Sequence, residues 1–407
     1  MIIILQSIAS IAVFMSIALI LSENRRAVNW WLILRAFALQ FAVALFVLYV
    51  PFGQAILGGM ADSIRSVIES AEAGASFVFG PLTSNDTGFI FAFRVLPVIV
   101  FISTLISLLY YVGVMQLVIL YIGGAIRRVI GTSHAESVTA AANIFIAHTD
   151  APMLIRPYLP KLTRSELFAL MCSGMSTIAG AVLAGVAGLG VEIKYLIAAC
   201  FMSAPGSLLF AKILCPETET PNVAFSRISY DEEHPPINFI DAAASGALLG
   251  LRVAAAVGAL LVAFIGLIAL TNIVLGAVGG VVGYPELTIQ VILGVALMPI
   301  ALLMGVPWEE AIQVGGLIGQ KIILNEFVAY VGYIDVRDTL SPHAQIITVF
   351  SLCGFANLAS IAMVLGTIES LAPTRRSEVA QLGLKAVAAG TLVNLTNAAL
   401  AGLLLAL

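Results

Sequence analysis

Runs of about twenty apolar residues, the length that crosses a bilayer as a helix, recur along this chain from Ile2–Leu21 and Val28–Val50 onward. Of its 407 residues 60% are hydrophobic and only 10% are charged, against about 25% charged in a soluble domain. The expected fold is therefore an all-α integral membrane protein with many spans. Long uninterrupted apolar runs argue against a β-barrel, whose strands alternate. A basic stripe is missing, so nucleic acid is not an expected partner. Cys172, Cys200, Cys215 and Cys353 lie in or beside apolar runs without CxxC spacing. They read as small core residues, with no disulfide, metal or resident cofactor expected.

Basic residues at short loops orient the spans. Arg25-Arg26 after the first span and Arg375-Arg376 near the end mark the cytoplasmic side of a multi-pass protein of the inner (plasma) membrane. Trp30 and Trp31 fit the aromatic belt. Gly53–Ser70 carries Asp62, Arg65 and Glu69 at helical spacing and is expected to lie along the outer surface. A span over 88–112 follows, with Arg94 reading as a snorkelling or bundle-facing residue. Pro216–Pro236 is the one strongly polar connection, containing Glu217, Glu219, Asp231, Glu232 and Glu233. His134, His234 and His343 read as exposed.

The most informative interruption is Asn143-Ile-Phe-Ile-Ala-His-Thr-Asp-Ala-Pro152. It sets an amide, an imidazole, a hydroxyl and a carboxylate at membrane depth. An aspartate there costs about 2.5–3.5 kcal/mol and is tolerated when it faces protein or a wet cavity. Pro152 disfavours a continuing helix. The segment His134–Leu159 is thus expected to be a hairpin that enters the membrane, breaks at His148–Asp150 and returns. Thr163-Arg-Ser-Glu166 is a capping box that opens the next helix. That helix is expected to break near Ser176–Val182, and Tyr195–Leu214 spans back, with a kink expected at Pro205-Gly206.

A second set of segments repeats the first. Gln116-Leu-Val-Ile-Leu returns at Gln290, 174 positions on. Asp150 corresponds to Glu326 and Thr177 to Asn357, 176 and 180 positions on. Each unit reads as interfacial helix, re-entrant hairpin, broken helix and full span. An odd number of spans separates the units, so they are inverted. Inverted repeats whose hairpins and broken helices meet at the midplane are the plan of a secondary transporter. The expected division is 1–112 as scaffold, 113–214 as the first repeat, 215–284 as polar loop and long scaffold helix, and 285–407 as the second repeat.

The two hairpin tips and the two breaks, Ser176–Val182 and Phe355–Ser360, offer two carboxylates, an imidazole, hydroxyls, amides and an aromatic face. No basic cluster is present, so phosphate fits poorly. A neutral solute with hydroxyls and a planar ring fits better, because carboxylates accept hydroxyl protons and Phe355 can pack on a ring. Asn143 and Thr177 offer oxygens for a small cation beside freed backbone carbonyls. Each of these residues has a plainer role open to it. Glu326 can pair with Lys321, and the others can satisfy broken backbone. A membrane hydrolase would need a nucleophile–base or metal motif such as HExxH or GxSxG in a suitable context. Neither occurs, so an enzyme is not expected. A channel would need a continuous pore.

The motifs His148-Thr-Asp-Ala-Pro with Pro157-Tyr-Leu, Ser176-Thr-Ile-Ala-Gly, Asn325-Glu-Phe-Val-Ala-Tyr330 and Cys353-Gly-Phe-Ala-Asn-Leu-Ala-Ser resemble the concentrative nucleoside transporter family, in its bacterial form, over nearly the whole chain. The resemblance implies a homotrimer in lipid, in which a scaffold holds a transport domain that moves like an elevator. It implies nucleoside import by symport with sodium, with proton coupling as the alternative. It places ribose on Glu326, Phe355, Asn357 and Ser360, and the nucleobase near His148, Thr149, Asp150 and Val182. Sodium would sit on the side chains of Asn143 and Thr177 and the carbonyls of Ile146 and Ile178. The chain departs from the family's Gln-Thr-Glu or Gln-Asn-Glu at His148-Thr149-Asp150.

Overall fold

Caps, prolines and left-handed glycines set the ends of the helices. A computed structural model describes residues 2–84, 89–221, 236–281 and 283–407. Asp231, Glu232, Glu233 and His234 of the expected polar loop lie outside the described residues.

Helix α1 (Ile2–Ile20) and α2 (Trp30–Leu48) are the first spans, α2 being capped by the Asn29 side chain, which accepts from the Leu32 amide. Trp30 and Trp31 are exposed. Helix α3 (Pro51–Phe79) opens on Pro51 and runs nine residues past the expected Ser70. Helices α4 (Phe91–Arg94) and α5 (Leu96–Tyr111) make the next span. The Arg94 guanidinium sits 5.6 Å from the Phe89 ring centre. Gly113 (φ 84°) and Gly131 (φ 89°) adopt the left-handed conformation that bounds α6 (Val114–Ile130) at both ends.

The first hairpin is α7 (His134–Ala142), an irregular tip over 143–150, α8 (Ala151–Leu154) and a 3₁₀ turn Arg156–Lys161. A capping box of Ser133 and Glu136, unnoticed in the sequence, opens α7. The expected box of Thr163 and Glu166 opens α9 (Arg164–Ser176). The first break is narrower than expected. Helix α9 runs through Ser176, only Thr177–Ala179 lie outside a helix, and Val182 already lies in α10 (Gly180–Gly188). Next come α11 (Ile193–Leu214), helical through Pro205, and α12 (Phe239–Val281), 43 residues long.

Helix α13 (Ile289–Leu303) bends by 116° into α14 (Trp308–Ile323). The second hairpin is α14, a tip at Leu324-Asn325, and α15 (Glu326–Val336). Helix α16 (Pro342–Leu352) stops at Cys353, and α17 (Leu358–Leu371) starts after Asn357, so Leu358–Ser360 of the expected second break are helical. Helix α18 (Arg376–Leu405) closes the described chain. Seven helices among the described residues are long and apolar enough to cross a membrane, and the bent α13–α14 pair would make eight.

Polar contacts show that the two hairpins enter from opposite ends. Helix α11 runs from one pole to the other. At its C-terminal pole, Lys212 pairs with Glu136 at the start of the first hairpin. There Thr163, at that hairpin's end, donates to Glu217 at 2.9 Å. Arg375 donates to the carbonyls of Leu159 and Leu162. At the other pole, Arg337 at the end of the second hairpin donates to the Gly190 carbonyl just before α11, at 3.2 Å. Glu310 at its start accepts from the Ser341 hydroxyl at 2.9 Å. The basic clusters expected on the cytoplasmic side gather at the first of these poles. There Glu23, between α1 and α2, binds Arg164 at 3.0 Å and Lys385 at 2.8 Å.

Helices α9, α10, α11 and α18 are enclosed. Helices α1 and α2, grouped with α5 in the expected 1–112 unit, pack on α11 and α18. Gln40 of α2 donates to Asn397 of α18 at 2.8 Å, and a Cβ on Gly206 of α11 would lie 2.6 Å from the Gln40 Nε2. Helix α5 packs along α12, where a Cβ on Gly246 would come within 2.6 Å of the Ser107 Cβ. Most of α12 is apolar and exposed, a face suited to lipid or to other subunits.

Candidate functional site

Both broken helices expose chain ends at the centre of the fold, and the hairpin tips arrive there from opposite poles. The Phe355 amide donates to the Thr177 carbonyl at 3.2 Å, so the two breaks touch. The Gly180 amide donates to the Phe145 carbonyl at 3.0 Å, which ties the first tip to the first break. These bonds satisfy backbone that a broken helix leaves open.

Glu326, Asn357 and Ser360 form one hydrogen-bonded unit. Asn357 is the N-cap of α17, its Oδ1 accepting from the Ser360 amide at 2.9 Å and the Ser360 hydroxyl at 3.1 Å. Its Nδ2 donates to Glu326 at 3.1 Å. Asn325 caps α15 in the same manner, accepting from the Val328 amide at 2.9 Å. The Glu326 carboxylate therefore sits in the first turn of α15 with the N-terminus of α17 facing it, where helix dipoles favour negative charge. Lys321 is not its hydrogen-bonded partner; the ammonium donates to Asn394 at 2.7 Å instead.

His148 packs beside Phe355, with ring centres 4.7 Å apart and planes tilted by 58°. It is buried, and neither ring nitrogen has a hydrogen-bond partner in the protein. Gly174 of α9 makes room for it, since a Cβ there would lie 2.5 Å from the His148 Cβ. Thr149 donates to Asp150 at 3.2 Å. Thr149, Asp150 and Val182 line a cavity of about 400 Å³ that continues between α5 and α12, past Ser103, Ser107 and Tyr110. His148, Glu326, Phe355, Asn357 and Ser360 do not line that cavity. The expected residues thus fall into the bonded group of Glu326, Asn357 and Ser360, the ring pair of His148 and Phe355, and the cavity-facing Thr149, Asp150 and Val182.

Of the expected cation ligands, Asn143 and Thr177 meet at Ser173 beside Ile178 of the first break. Asn143 caps α7, and its Nδ2 donates to the Ser173 hydroxyl at 2.9 Å. Its Oδ1 is buried without a donor. The Thr177 hydroxyl donates to the Ser173 carbonyl at 3.1 Å, leaving its oxygen lone pairs unspent. The Ile178 carbonyl takes only a weak contact from the Cys200 thiol at 3.8 Å. Ile146 belongs to the adjoining tip and lines the cavity. An uncharged set of buried oxygens, one of them orphaned, suits a small monovalent cation.

Sequence reading missed Ser173, which orients both Asn143 and Thr177, and it missed Asn394. Polar spacing within α9 and α18 was the only signal for either.

Opposed hairpins and paired broken helices around a buried polar centre define a secondary transporter. The chain belongs to the Na⁺ dependent nucleoside transporter family. The family's C-terminal profile matches residues 195–402 and its N-terminal profile residues 9–82, with a nucleoside recognition "Gate" profile over 92–192. It is accordingly a multi-pass membrane transporter and not an enzyme. It is 47% identical to the nucleoside permease NupC of Helicobacter pylori, covering 98% of both chains. It is 39% identical to sodium/nucleoside cotransporter 1 of Mus musculus, covering 98% of this chain and 64% of that one. The solved structure of CNTnw in an inward-facing substrate-bound state shares 48% identity and a TM-score of 0.96, covering 100% and 98% of the two chains. A doubly substituted CNTnw in an outward-facing state also gives 0.96, covering 99% of each chain.

Proposed function

We propose that this protein imports nucleosides by symport with sodium, by an elevator-type alternating-access movement. Glu326, Asn357 and Ser360 hold the ribose hydroxyls, with Phe355 packed against the sugar or base. His148, Thr149, Asp150 and Val182 face the nucleobase. Sodium travels on Asn143, Thr177 and the carbonyls of Ile146 and Ile178. The observation that carries the coupling is the buried Asn143 Oδ1, an acceptor with no donor in the protein, one hydrogen bond away from the residue that also holds Thr177. Family membership and the sodium/nucleoside cotransporter relatives support the same ion. The two helical repeats form the moving body, and the α5–α12 pair, exposed along α12, forms the static frame of a homotrimer in lipid. The packing of α1 and α2 on α11 and α18 favours their travelling with the repeats. Uptake into proteoliposomes from a nucleoside panel, under separate sodium and proton gradients, tests the reading. Sodium-driven accumulation is expected; accumulation driven by the proton gradient alone would replace sodium with a proton.

A further inference from the structure

Lys321 is the buried charge that this scheme leaves unused. It lies in the last turn of α14, fully enclosed, five residues before Glu326. A lysine at membrane depth is costly and is kept where it does a job. Its ammonium donates to the Asn394 Oδ1 of α18 at 2.7 Å. Asn394 spends its remaining polar capacity on the two broken helices. Its Nδ2 donates to the Ser176 carbonyl at 2.8 Å and to the Cys353 carbonyl at 2.7 Å.

Those carbonyls are matched ends. Ser176 is the last residue of α9, and Cys353 is the C-cap of α16. Each is the negative end of a half-helix whose continuation is broken. One amide bridges both, and the ammonium behind it supplies the compensating charge. The fit is close. A Cβ on Gly354 would lie 2.5 Å from the Asn394 Oδ1, and one on Gly390 would lie 3.0 Å from both Met175 and Ala356. Ser176 directly precedes Thr177, and Cys353 lies four residues before Asn357. Lys321 and Asn394 thus join the cation half of the site, the sugar half and the stem of the second hairpin through three hydrogen bonds.

We propose that Lys321 and Asn394 form the joint through which cation binding at the first break is felt at the nucleoside site. The inference rests on the cation-coupled reading above. Neither residue touches a ligand; both are positioning residues. Ordering the first break around a cation fixes the Ser176 carbonyl. Asn394 passes that constraint to the second break and, through Lys321, to the hairpin that carries Glu326. Coupling of this kind is reciprocal and is typically about 5- to 150-fold in affinity.

The test is nucleoside affinity of the purified full-length protein with and without sodium, read as the ratio of the two Kd values, with thermal unfolding as the folding control. Lys321→Gln and Asn394→Asp are the test variants. Asn394→Asp keeps the acceptor for Lys321 and removes both donors to the carbonyls. Lys321→Arg keeps the charge. Tyr330→Phe, which deletes a nearby buried hydrogen bond to the Val349 carbonyl, is the control for simple loosening. The ratio should fall about tenfold or to unity in the two test variants, with sodium-free affinity changed much less. It should recover in part in Lys321→Arg and stay native in Tyr330→Phe. A native ratio in folded Lys321→Gln and Asn394→Asp overturns the joint while sodium coupling stands. A ratio of one in the unmutated protein, for sodium and for protons alike, overturns both.

Discussion

The Asn357 Nδ2 donates to the Glu326 carboxylate at 3.1 Å, so the cap of a broken helix holds the side chain at the tip of the facing hairpin. The same amide satisfies the Ser360 backbone through its Oδ1. Glu326→Gln preserves an oxygen for Asn357 and removes the charge. The fold should survive, and nucleoside affinity should fall by the worth of a charge-assisted bond, about 1.5–3 kcal/mol or on the order of 10- to 150-fold in Kd. Binding of radiolabelled uridine to the purified variant checks this. Native affinity would remove Glu326 from the sugar site.

Asn143→Ala deletes the orphaned Oδ1 and the bond to Ser173 together. Sodium dependence of uptake should weaken, and nucleoside affinity in sodium should drop toward the sodium-free value. Ser173→Ala keeps the Asn143 oxygen but frees its orientation, and should give a smaller shift in the same direction. Sodium titrations of uptake separate the two. An unchanged sodium titration in Asn143→Ala would show that the ion sits elsewhere.

Gly174 and Gly124 make a paired test of close approach. Ala at 174 would place a Cβ 2.5 Å from the His148 Cβ and 3.2 Å from its backbone Cα, so the tip must move. Overpacking of this sort costs about 1–3 kcal/mol. Gly174→Ala should lower Tm and weaken nucleobase binding. Gly124→Ala meets nothing within 4 Å inside α6 and should be neutral or stabilising through helix propensity. Thermal unfolding of both variants gives the comparison, and equal effects would refute the crowding argument.

At the pole where Lys385, Arg164 and the end of α11 converge, Glu23 is held down to about 2, chiefly by its hydrogen bond from Arg164 and further by Lys385. Its folded value lies below the ordinary 4.5, so its contribution is present in full above about 4.5 and is lost as pH falls toward 2. Glu23→Gln should therefore lower Tm by an amount that stays constant from neutral pH down to about 4.5 and shrinks below it. The group is partly exposed, so added salt should reduce the difference as well. A Tm difference that grows on acidification has the wrong sign for this network.

Much of this was legible in the residues themselves. Pro152, the Thr163–Glu166 box and the paired polar interruptions announce two hairpins and two breaks, because broken backbone in a membrane needs caps and those caps are polar. Two of the features that escaped show why. Val182 sits in α10 because the break takes only the three non-helical residues Thr177–Ala179, and apolar sequence does not mark where the helix resumes. Lys321 lies five residues before Glu326, which suggested an ion pair, whereas its partner Asn394 is 73 residues away on α18. Spacing along the chain says nothing about a neighbour that arrives through tertiary packing.

By its resemblance to the Gln-Thr-Glu motif this chain has His148 in place of a glutamine, and its two ring nitrogens are buried without partners beside Phe355. A glutamine amide always offers a base one donor and one acceptor. Neutral imidazole also has one nitrogen that donates and one that accepts, but the two point apart across the ring, so one base edge meets a donor or an acceptor and not both. His148→Gln places a donor and an acceptor side by side, and should strengthen bases with a neighbouring donor and acceptor on one edge, such as the N3–H and carbonyl oxygens of uridine. Adding Asp150→Glu should move the ranking further toward that of Gln-Thr-Glu relatives. Competition for uptake by uridine, cytidine, adenosine and a C-linked uridine isomer, in the unmutated protein and both variants, measures it. If the ranking is the same in all three, His148 closes the hairpin tip and reads no base.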